Sequence, residues 1–330
     1  MQSERPRETF AALFARGWRS YAASFSASIA PSLLCFALPA ALVSAVAYFA
    51  AVLLFQPALL AVRELVQALL SAGLNTQAME EALARAGEYL SAITPEGVLS
   101  MLLGMLGLLL VLIPLELLAS VVLMPIGQGA VAEAQSRMWH GVRIPARRAL
   151  SAAGRRAGRL IVLSLCGMAA AYAVSLVVNL ALSLLAALPG GAGIVLIGVY
   201  AVQLALTLGI GACLSLAVLV GINEDKWHFL ALYEAAKRFL RDGRFALLYL
   251  CYFGIALVVG VAALAADLYV ALMLFFPPVF TSVAAAFLQP FGMALLTSAY
   301  YADRKRQGYA PACGLNDKPG PEAGPSGGDL

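Results

Sequence analysis

The sequence predicts an all-α integral membrane protein with six transmembrane helices, and three observations lead to this fold class. Hydrophobic residues make up 62% of the 330 residues and charged residues only 12%, about half the charged share of a typical soluble domain. The charges are segregated, so that residues 160–223 contain none. Lys and Arg are concentrated in segments that would all face one side of a bilayer.

Apolar stretches long enough to cross a bilayer, about 20 residues each, define the spans. The charge-poor blocks hold one, one, two and two of them, and the double blocks divide at the Pro- and Gly-containing sequences LPGGAG (188–193) and FPPV (276–279). The predicted spans lie near residues 31–55, 98–126, 160–188, 194–222, 245–276 and 279–302. Since no short apolar region with a small-residue cleavage site precedes the first span, we expect that span to be an uncleaved insertion signal.

The distribution of positive charge predicts the orientation. A cytoplasmic N-terminus places twenty of the 22 Lys and Arg inside and leaves only Arg63 and Arg85 outside. Basic residues that flank spans are retained on the cytoplasmic face, so both chain ends are expected there.

The densest basic group lies between spans two and three. It contains six arginines that are candidates for binding anionic lipid, namely Arg143, Arg147, Arg148, Arg155, Arg156 and Arg159. Retention of the segment on the cytoplasmic side is one interpretation. Recognition of anionic headgroups, worth about 1 kcal/mol per charge near the surface, is the other.

Three amphipathic segments, residues 10–25, 141–159 and 229–245, are predicted to lie flat on the cytoplasmic face. Each precedes an apolar hairpin, and this layout is consistent with three parallel repeats related by an axis along the membrane normal. In the third segment Glu234 is spaced to pair with Lys237 and Arg238. Its apolar side consists of Phe229, Leu232, Tyr233, Ala236, Phe239 and Leu240.

The predicted membrane domain covers residues 1–307. It includes an outer excursion at 57–96, interpreted as two amphipathic helices broken at 73–75. The remaining residues, 308–330, are rich in Gly and Pro and are predicted to be a disordered cytoplasmic tail.

Four polar residues are predicted to lie inside spans, where they are costly and therefore candidate functional groups. Glu116 comes out about 6 Å to the cytoplasmic side of its span centre and Asp267 roughly 9 Å to the outer side, at about 1.5 Å per residue. Asn179 and Gln203 both come out about 8 Å to the outer side. We therefore predict a polar layer of Asn179, Gln203 and Asp267, which would either hold helices together, at about 0.6 kcal/mol per hydrogen bond, or serve transport.

Enzyme signatures are not recognisable in the sequence. The H-E-x-x-H, G-x-S-x-G and P-loop patterns are missing, and the two histidines, His140 and His228, each follow a tryptophan. The five cysteines have neither zinc-site nor disulfide spacing. We therefore expect no catalytic residue, no cofactor, no bound metal and no nucleic-acid partner.

Three segments carry a family resemblance: MPIGQGAVAEAQSRMWHGVRIPARRALSAAGRRAGRL (124–160), YEAAKRFLRDGRFALLYL (233–250) and LLTSAYYADRKRQGY (295–309). They resemble the membrane domain attached to some bacterial glycerophosphoryl diester phosphodiesterases, and the resemblance covers roughly residues 10–310. That family's last span runs into a Tyr-Tyr-x-Asp-Arg-like ending, which is matched here by Tyr300, Tyr301, Asp303 and Arg304.

The resemblance implies a multi-pass protein of the bacterial inner (plasma) membrane. The phosphodiesterase domain has no counterpart after the last span, and the Glu, Asp and His ligands of that domain are missing. The resemblance thus implies a membrane module and does not imply phosphodiester hydrolysis.

Three classes of function remain. The first is a non-enzymatic inner-membrane module, a scaffold that binds anionic lipids of the cytoplasmic leaflet or an unidentified protein partner. The alternative is a transporter or permease subunit: YEAAKRFLRDG is similar to the Glu-Ala-Ala-x-x-x-Gly coupling loop of ABC permeases, although Gly243 comes later than that motif requires. The third is an enzyme acting on lipid headgroups through Glu116 or a histidine, for which no second carboxylate is evident.

Overall fold

The computed structural model describes residues 8–72, 76–91, 94–186, 192–273 and 276–307, and within these ranges every regular element is helical. The predicted tail at 308–330, the break at 73–75 and residues 188–191 of the predicted LPGGAG turn lie outside the described residues. The thirteen α-helices of the described part are α1 (Phe10–Ala23), α2 (Phe25–Ser32), α3 (Leu38–Leu54), α4 (Gln56–Ala72), α5 (Thr76–Ser91), α6 (Pro95–Leu117), α7 (Met124–Trp139), α8 (Ala146–Arg155), α9 (Ala157–Ala186), α10 (Ala192–Glu224), α11 (His228–Arg241), α12 (Gly243–Met273) and α13 (Phe280–Arg306).

The described residues contain six helices that are long and apolar enough to cross a membrane, which agrees with the predicted number of spans and makes this a multi-pass membrane protein. They are Phe25–Leu54, Glu96–Trp139, Ala157–Ala181, Val202–Glu224, Gly243–Met273 and Phe280–Arg306. Helices also occupy the three predicted amphipathic segments, as α1, α8 and α11.

The second of these helices is much longer than its predicted span. The span was predicted to end near residue 126, whereas the helix continues to Trp139 and has 44 residues. At about 1.5 Å per residue it is roughly 66 Å long, about twice the hydrocarbon thickness of a bilayer. Its polar end stays helical because Glu133 and Arg137, one turn apart, form an ion pair of 2.9 Å, and because its other side chains there are buried in protein.

Two short π-helical turns interrupt the first two long helices. Leu33–Ala37 separates α2 from α3, and Leu118–Leu123 separates α6 from α7. Each turn begins shortly after a proline inside the helix, Pro31 or Pro114. Proline has no N–H to donate, so the regular hydrogen-bond ladder is broken at these points.

The chain folds into two compact units, which are described separately. The first unit comprises Met1–Ser32, Pro125–Phe253 and Gln289–Leu330. The second comprises Leu33–Met124 and Gly254–Leu288.

The core of the first unit is built from α1, α7 and the second half of α13. Gly17 of α1 lies directly against α13, where a Cβ at that position would be 2.7 Å from Leu295 Cδ2 and 3.1 Å from the Leu295 Cα. Ser298 Oγ donates a hydrogen bond of 2.9 Å to the carbonyl oxygen of Leu13. The aromatic ring of Phe291 packs 5.6–6.1 Å from three rings of α1, those of Phe14, Trp18 and Tyr21.

A fully buried amide ties α7 to the first two helices. Gln135 accepts a hydrogen bond of 2.8 Å from Ser20 Oγ and donates one of 3.2 Å to Ser28 Oγ. A buried polar group is costly when its hydrogen bonds are missing. These bonds therefore fix α7 in register with α1 and α2.

In the second unit α4 and α5 form an antiparallel pair that buries Ala61, Ala82 and Ala86. The partly exposed pair Arg85–Glu64, with 3.4 Å between Nη1 and Oε2, links the two helices. Elsewhere in this unit Tyr48 of α3 donates a hydrogen bond of 2.8 Å to the carbonyl oxygen of Ala271 on α12.

Candidate functional site at the charged end of the first unit

A tight connection between α10 and α11 positions the charged residues of the first unit. Asp225 and His228 have positive φ angles of 51° and 58°, a backbone conformation that Asp and His adopt more readily than most residues. The Trp227 indole N–H donates to Asp225 Oδ1 at 2.7 Å, and Arg159 at the start of α9 donates to the same oxygen at 3.0 Å. The Trp227 hydrogen bond, together with Arg159, holds the pKa of Asp225 below its ordinary value.

Glu224, the last residue of α10, is the centre of a buried ionic cluster. Its carboxylate accepts hydrogen bonds from Arg238 Nη2 at 2.6 Å and from the Tyr300 hydroxyl at 2.9 Å. Lys226 Nζ lies 3.2 Å and Arg304 Nη1 3.6 Å from its oxygens. Three helices, α10, α11 and α13, thus meet at one carboxylate.

Arg238 is the buried cation of this cluster, and its side chain is only 8% exposed. Its guanidinium lies 5.2 Å from the centre of the Tyr300 ring. Burial on its own would lower the pKa of Arg238, but the hydrogen bond and the negative charge of Glu224 outweigh that effect and raise it. One buried nitrogen, Nη1, has no hydrogen-bond partner within the described residues.

A second hydrogen-bonded group surrounds Asn223. Its Nδ2 donates to Ser136 Oγ at 3.0 Å, and its Oδ1 accepts from the Tyr301 hydroxyl at 2.8 Å. His140 Nε2 lies 3.2 Å from the same hydroxyl, and Trp139 stacks on the Tyr301 ring at 5.0 Å. Burial, reinforced by the nearby charge of Arg137, lowers the pKa of His140. The group therefore favours a neutral histidine.

Beside these groups lies a cleft of about 580 Å³. Its walls come from the end of α10, from α11, from the start of α12 and from the end of α13. The charged residues that line it are six cations and four anions, namely Lys226, Lys237, Arg238, Arg241, Arg304, Arg306, Glu224, Glu234, Asp242 and Asp303.

The ion pairs of α11 differ from those predicted. The helical spacing predicted that Glu234 pairs with Lys237 and Arg238. In the structure Lys226 Nζ is the cation near Glu234, at 3.5 Å, and Arg238 turns to Glu224. Glu224 is more deeply buried than Glu234, so its charge is less screened by solvent and attracts the guanidinium more strongly.

Two of the six candidate lipid-binding arginines are used within the protein. Arg156 donates to Glu133 at 2.9 Å. Arg159 pairs with Asp225, and its guanidinium lies 5.6 Å from the centre of the Trp227 ring. The other four are exposed and form no ion pair within the described part of the chain: Arg143, Arg147, Arg148 and Arg155.

The intramembrane candidates are spread over the two units. Asn179 is exposed on α9 and Gln203 is half-buried on α10, both in the first unit, whereas Asp267 is buried in the second. The predicted polar layer of Asn179, Gln203 and Asp267 is therefore not tested and stays a prediction. Glu116 is exposed on α6, where its backbone carbonyl accepts a hydrogen bond of 2.7 Å from Ser120.

Asp267 has a definite partner, the first turn of α13. Its two carboxylate oxygens accept hydrogen bonds from the backbone N–H groups of Phe280, at 2.8 Å, and of Thr281, at 2.9 Å. The N–H groups of a helix's first turn have no partner within the helix. Asp267 therefore acts as a cap supplied by the preceding span, a role that sequence spacing does not reveal because the two segments are thirteen residues apart.

Sequence reasoning did not identify Glu224 or Asn223 as site residues, and it predicted Arg238 only as a partner of Glu234. One signal was present in the sequence. Asn223 is the last residue of the longest charge-free block of the chain, and Glu224 is the first charged residue after it. The resemblance carried another, since all four residues of the Tyr-Tyr-x-Asp-Arg-like ending contact the clusters just described. Tyr300 and Arg304 contact Glu224, Tyr301 contacts Asn223, and Asp303 lies 4.0 Å from Arg238.

No group of three or more His, Cys, Asp or Glu side chains that could hold a metal ion occurs among the described residues. Comparison of the chain with protein-family models, with curated proteins and with solved structures gives no match.

Proposed function

We propose that this chain is a non-enzymatic, multi-pass module of the bacterial inner membrane that scaffolds the cytoplasmic surface of the bilayer. In this proposal the interfacial helices α8 and α11 of the first unit seat on the cytoplasmic leaflet and gather anionic lipid headgroups. The distribution of Lys and Arg over the predicted loops and the resemblance to a phosphodiesterase-associated membrane domain support this proposal.

The observation that carries the proposal is the orientation of α11. Its protein-facing side consists of Ala231, Ala235 and the buried Arg238. Its outer side presents large apolar side chains, with Phe229 74%, Tyr233 62% and Leu240 84% exposed. Burial of one such side chain is worth about 1.5–3 kcal/mol, so this face calls for an apolar partner outside the protein.

The chain connectivity supports the bilayer interface as that partner. Only residues 225–227 separate α11 from the end of α10, and only Asp242 separates it from α12. Four steps of at most about 3.6 Å join Glu224 to His228, so each end of α11 lies within roughly 14 Å of a membrane-spanning helix. An amphipathic helix at that depth buries its apolar face among the acyl chains just below the headgroups.

Helix α8 supplies the positive charge. It packs through Ala149 and Ala153, and its arginines Arg147, Arg148 and Arg155 are exposed. The link from α8 to the membrane-spanning α9 is a single residue, Arg156. Exposed arginines so close to a span lie within reach of headgroup phosphates.

Fluorescence quenching in lipid nanodiscs tests the seating of α11. Single-cysteine variants at Tyr233 and Leu240 are made in a chain whose five native cysteines are replaced by alanine, and are labelled with an environment-sensitive dye. Lipids with spin-labelled acyl chains should quench both positions. The matched control is Arg241→Cys, exposed on the cleft side of the same helix, which should be quenched much less. Equal, weak quenching at all three positions would contradict the proposal.

A further inference from the structure

The cleft beside α11 contains more positive charge than its own acids neutralise. All four lining acids are already engaged: Glu224 by three cations, Glu234 by Lys226, Asp242 by Arg306 and Asp303 by Arg238. Asp242 also accepts hydrogen bonds from Arg244, which hold its pKa below the ordinary value even though burial opposes them. The acids are thus committed to fixed partners.

Two of the cations that line the cleft, Lys237 and Arg241, are not used by these acids. Both are exposed, and neither forms an ion pair within the described residues. They stand four residues apart on α11, which brings their side chains onto the same helical face, with Cβ atoms about 5–6 Å apart. Two cations at this spacing can hold the oxygens of one phosphate group.

The inner wall of the cleft adds a fixed positive charge. Arg238 lines the cleft and is held in place by Glu224 and by the Tyr300 ring. Arg304 and Arg306 of α13 also line the cleft. A phosphate group in the cleft would therefore be near positive charge from two helices, α11 and α13.

The four-residue spacing continues toward the apolar face of α11. Phe229, Tyr233, Lys237 and Arg241 follow one another at four-residue steps, each rotated about 40° around the helix from the last. The series therefore passes from the apolar outer side of α11 at Phe229 to the cleft side at Arg241. A phospholipid would match both halves of this series, with acyl chains beside the aromatic residues and its phosphate at the cations. A soluble phosphate ester would match the cationic half alone.

We infer that the cleft is a binding site for a phosphate-bearing ligand, held mainly by Lys237 and Arg241. This goes beyond the docking of the first unit on the membrane, because the cleft uses different residues from the exposed arginines of α8 and can act whether or not α11 is seated in the bilayer.

The experiment uses the full chain in a neutral detergent and measures binding of phosphatidylglycerol by native mass spectrometry and of glycerol 3-phosphate by titration calorimetry, with phosphatidylcholine for comparison. Saturable one-to-one binding of either phosphate probe is expected, about tenfold weaker or more in K237Q/R241Q. Saturation by both probes identifies the phosphate itself as the recognised group, and saturation by phosphatidylglycerol alone identifies a lipid ligand.

Two controls complete the test. R148Q removes an exposed arginine outside the cleft and should leave the one-to-one affinity unchanged. K237R/R241K keeps both charges and should restore most of the binding, which separates loss of charge from damage to the fold. The inference is overturned when neither probe saturates, when K237Q/R241Q binds as tightly as the unaltered chain, or when R148Q weakens binding as much as K237Q/R241Q does. These binding measurements contain no bilayer, so their result does not depend on whether α11 is seated in the membrane. The phosphate site and the seating of α11 can therefore fail independently of each other.

Discussion

Glu224 and Arg238 form a buried ion pair in which a carboxylate oxygen lies 2.6 Å from Nη2 of the guanidinium. Both side chains are less than a tenth exposed. Such a pair is weak evidence of net stabilisation, but removal of one partner leaves a charge buried without compensation. The pair therefore fixes the last turn of α11 against the end of α10.

Glu224→Gln should destabilise the protein by about 3–5 kcal/mol, the usual cost of breaking a buried pair. Thermal unfolding in detergent measures the change. Glu64→Gln is the matched control, since the partner of Glu64, Arg85, is mostly exposed and an exposed pair contributes less than about 1 kcal/mol. E224Q/R238M should recover part of the loss. Equal, small effects of E224Q and E64Q would show that the buried pair has no special weight.

Gly17→Ala should destabilise the first unit by about 1–3 kcal/mol, because the new methyl group meets the Leu295 backbone and not only a movable side chain. Gly254→Ala in α12 is the control. Its Cβ would have nothing within 4 Å, and exchange of a helical glycine for alanine usually adds about 0.5–1 kcal/mol. Unfolding midpoints of the two variants should move in opposite directions, and a shared direction would argue against close contact of α1 with α13.

Asp267→Ala should cost about 1–2 kcal/mol, because two backbone N–H groups of α13 lose their partner. Asp267→Asn keeps one acceptor oxygen and should cost less. Thr94→Ala offers a comparison, since the Thr94 hydroxyl caps α6 by a single hydrogen bond of 3.1 Å. If Asp267 instead served a transport layer with Asn179 and Gln203, D267N would leave stability unchanged and abolish a substrate- or proton-dependent flux in proteoliposomes.

His140 should make stability fall in mild acid. Its pKa is lower in the folded protein than in the unfolded chain, so between that value and the ordinary value of about 6.5 the unfolded chain binds more protons. Stability is therefore complete above about pH 6.5 and decreases as the pH falls through this window. Unfolding midpoints measured across mild acid should slope in the unaltered protein and flatten in H140Q. The same slope in both proteins would assign it to another group.

Replacement of Arg143, Arg147, Arg148 and Arg155 by glutamine should lower the enrichment of phosphatidylglycerol over phosphatidylcholine among co-purified lipids by about tenfold or more, at about 1 kcal/mol per charge. The same four changed to lysine keep the charge and should keep the enrichment. Sixteen of the twenty predicted cytoplasmic Lys and Arg remain in the glutamine variant, so a C-terminal reporter should stay inside. If the phosphatidylglycerol enrichment is unchanged while the reporter stays inside, these arginines do not bind lipid and serve only to set the topology.

The number of spans could be predicted from the sequence, because length and apolar character alone decide whether a helix can cross a bilayer. The continuation of α7 to Trp139 could not. Its buried polar residues, Glu133 and Gln135, resemble a loop composition until their partners are known, which are Arg156 and the serines of α1 and α2. Polar residues whose partners are distant in sequence look solvent-exposed in any local pattern.

The candidate site also has features that local sequence predicts and features that depend on residues distant in sequence. Helical periodicity predicts the apolar side of α11, and three of its residues, Phe229, Tyr233 and Leu240, are exposed. The burial of Arg238 does not follow, because its partners Glu224 and Tyr300 come from helices that are 14 and 62 residues away. Asp267 was predicted to lie inside a span, and its role as a cap could not be predicted because it depends on where the next helix begins.

The hydrogen bond between Leu13 and Ser298 joins residues 285 positions apart. At about 5–20 residues per second, translation of that interval takes roughly a quarter of a minute to a minute. During that time the N-terminal helix is already outside the ribosome while the surface it will finally occupy has not been synthesised. Closure of the first unit consequently waits until α13 has been synthesised, and a nascent chain stalled before residue 291 would present the Gly17 side of α1 to chaperones or to the membrane insertion machinery.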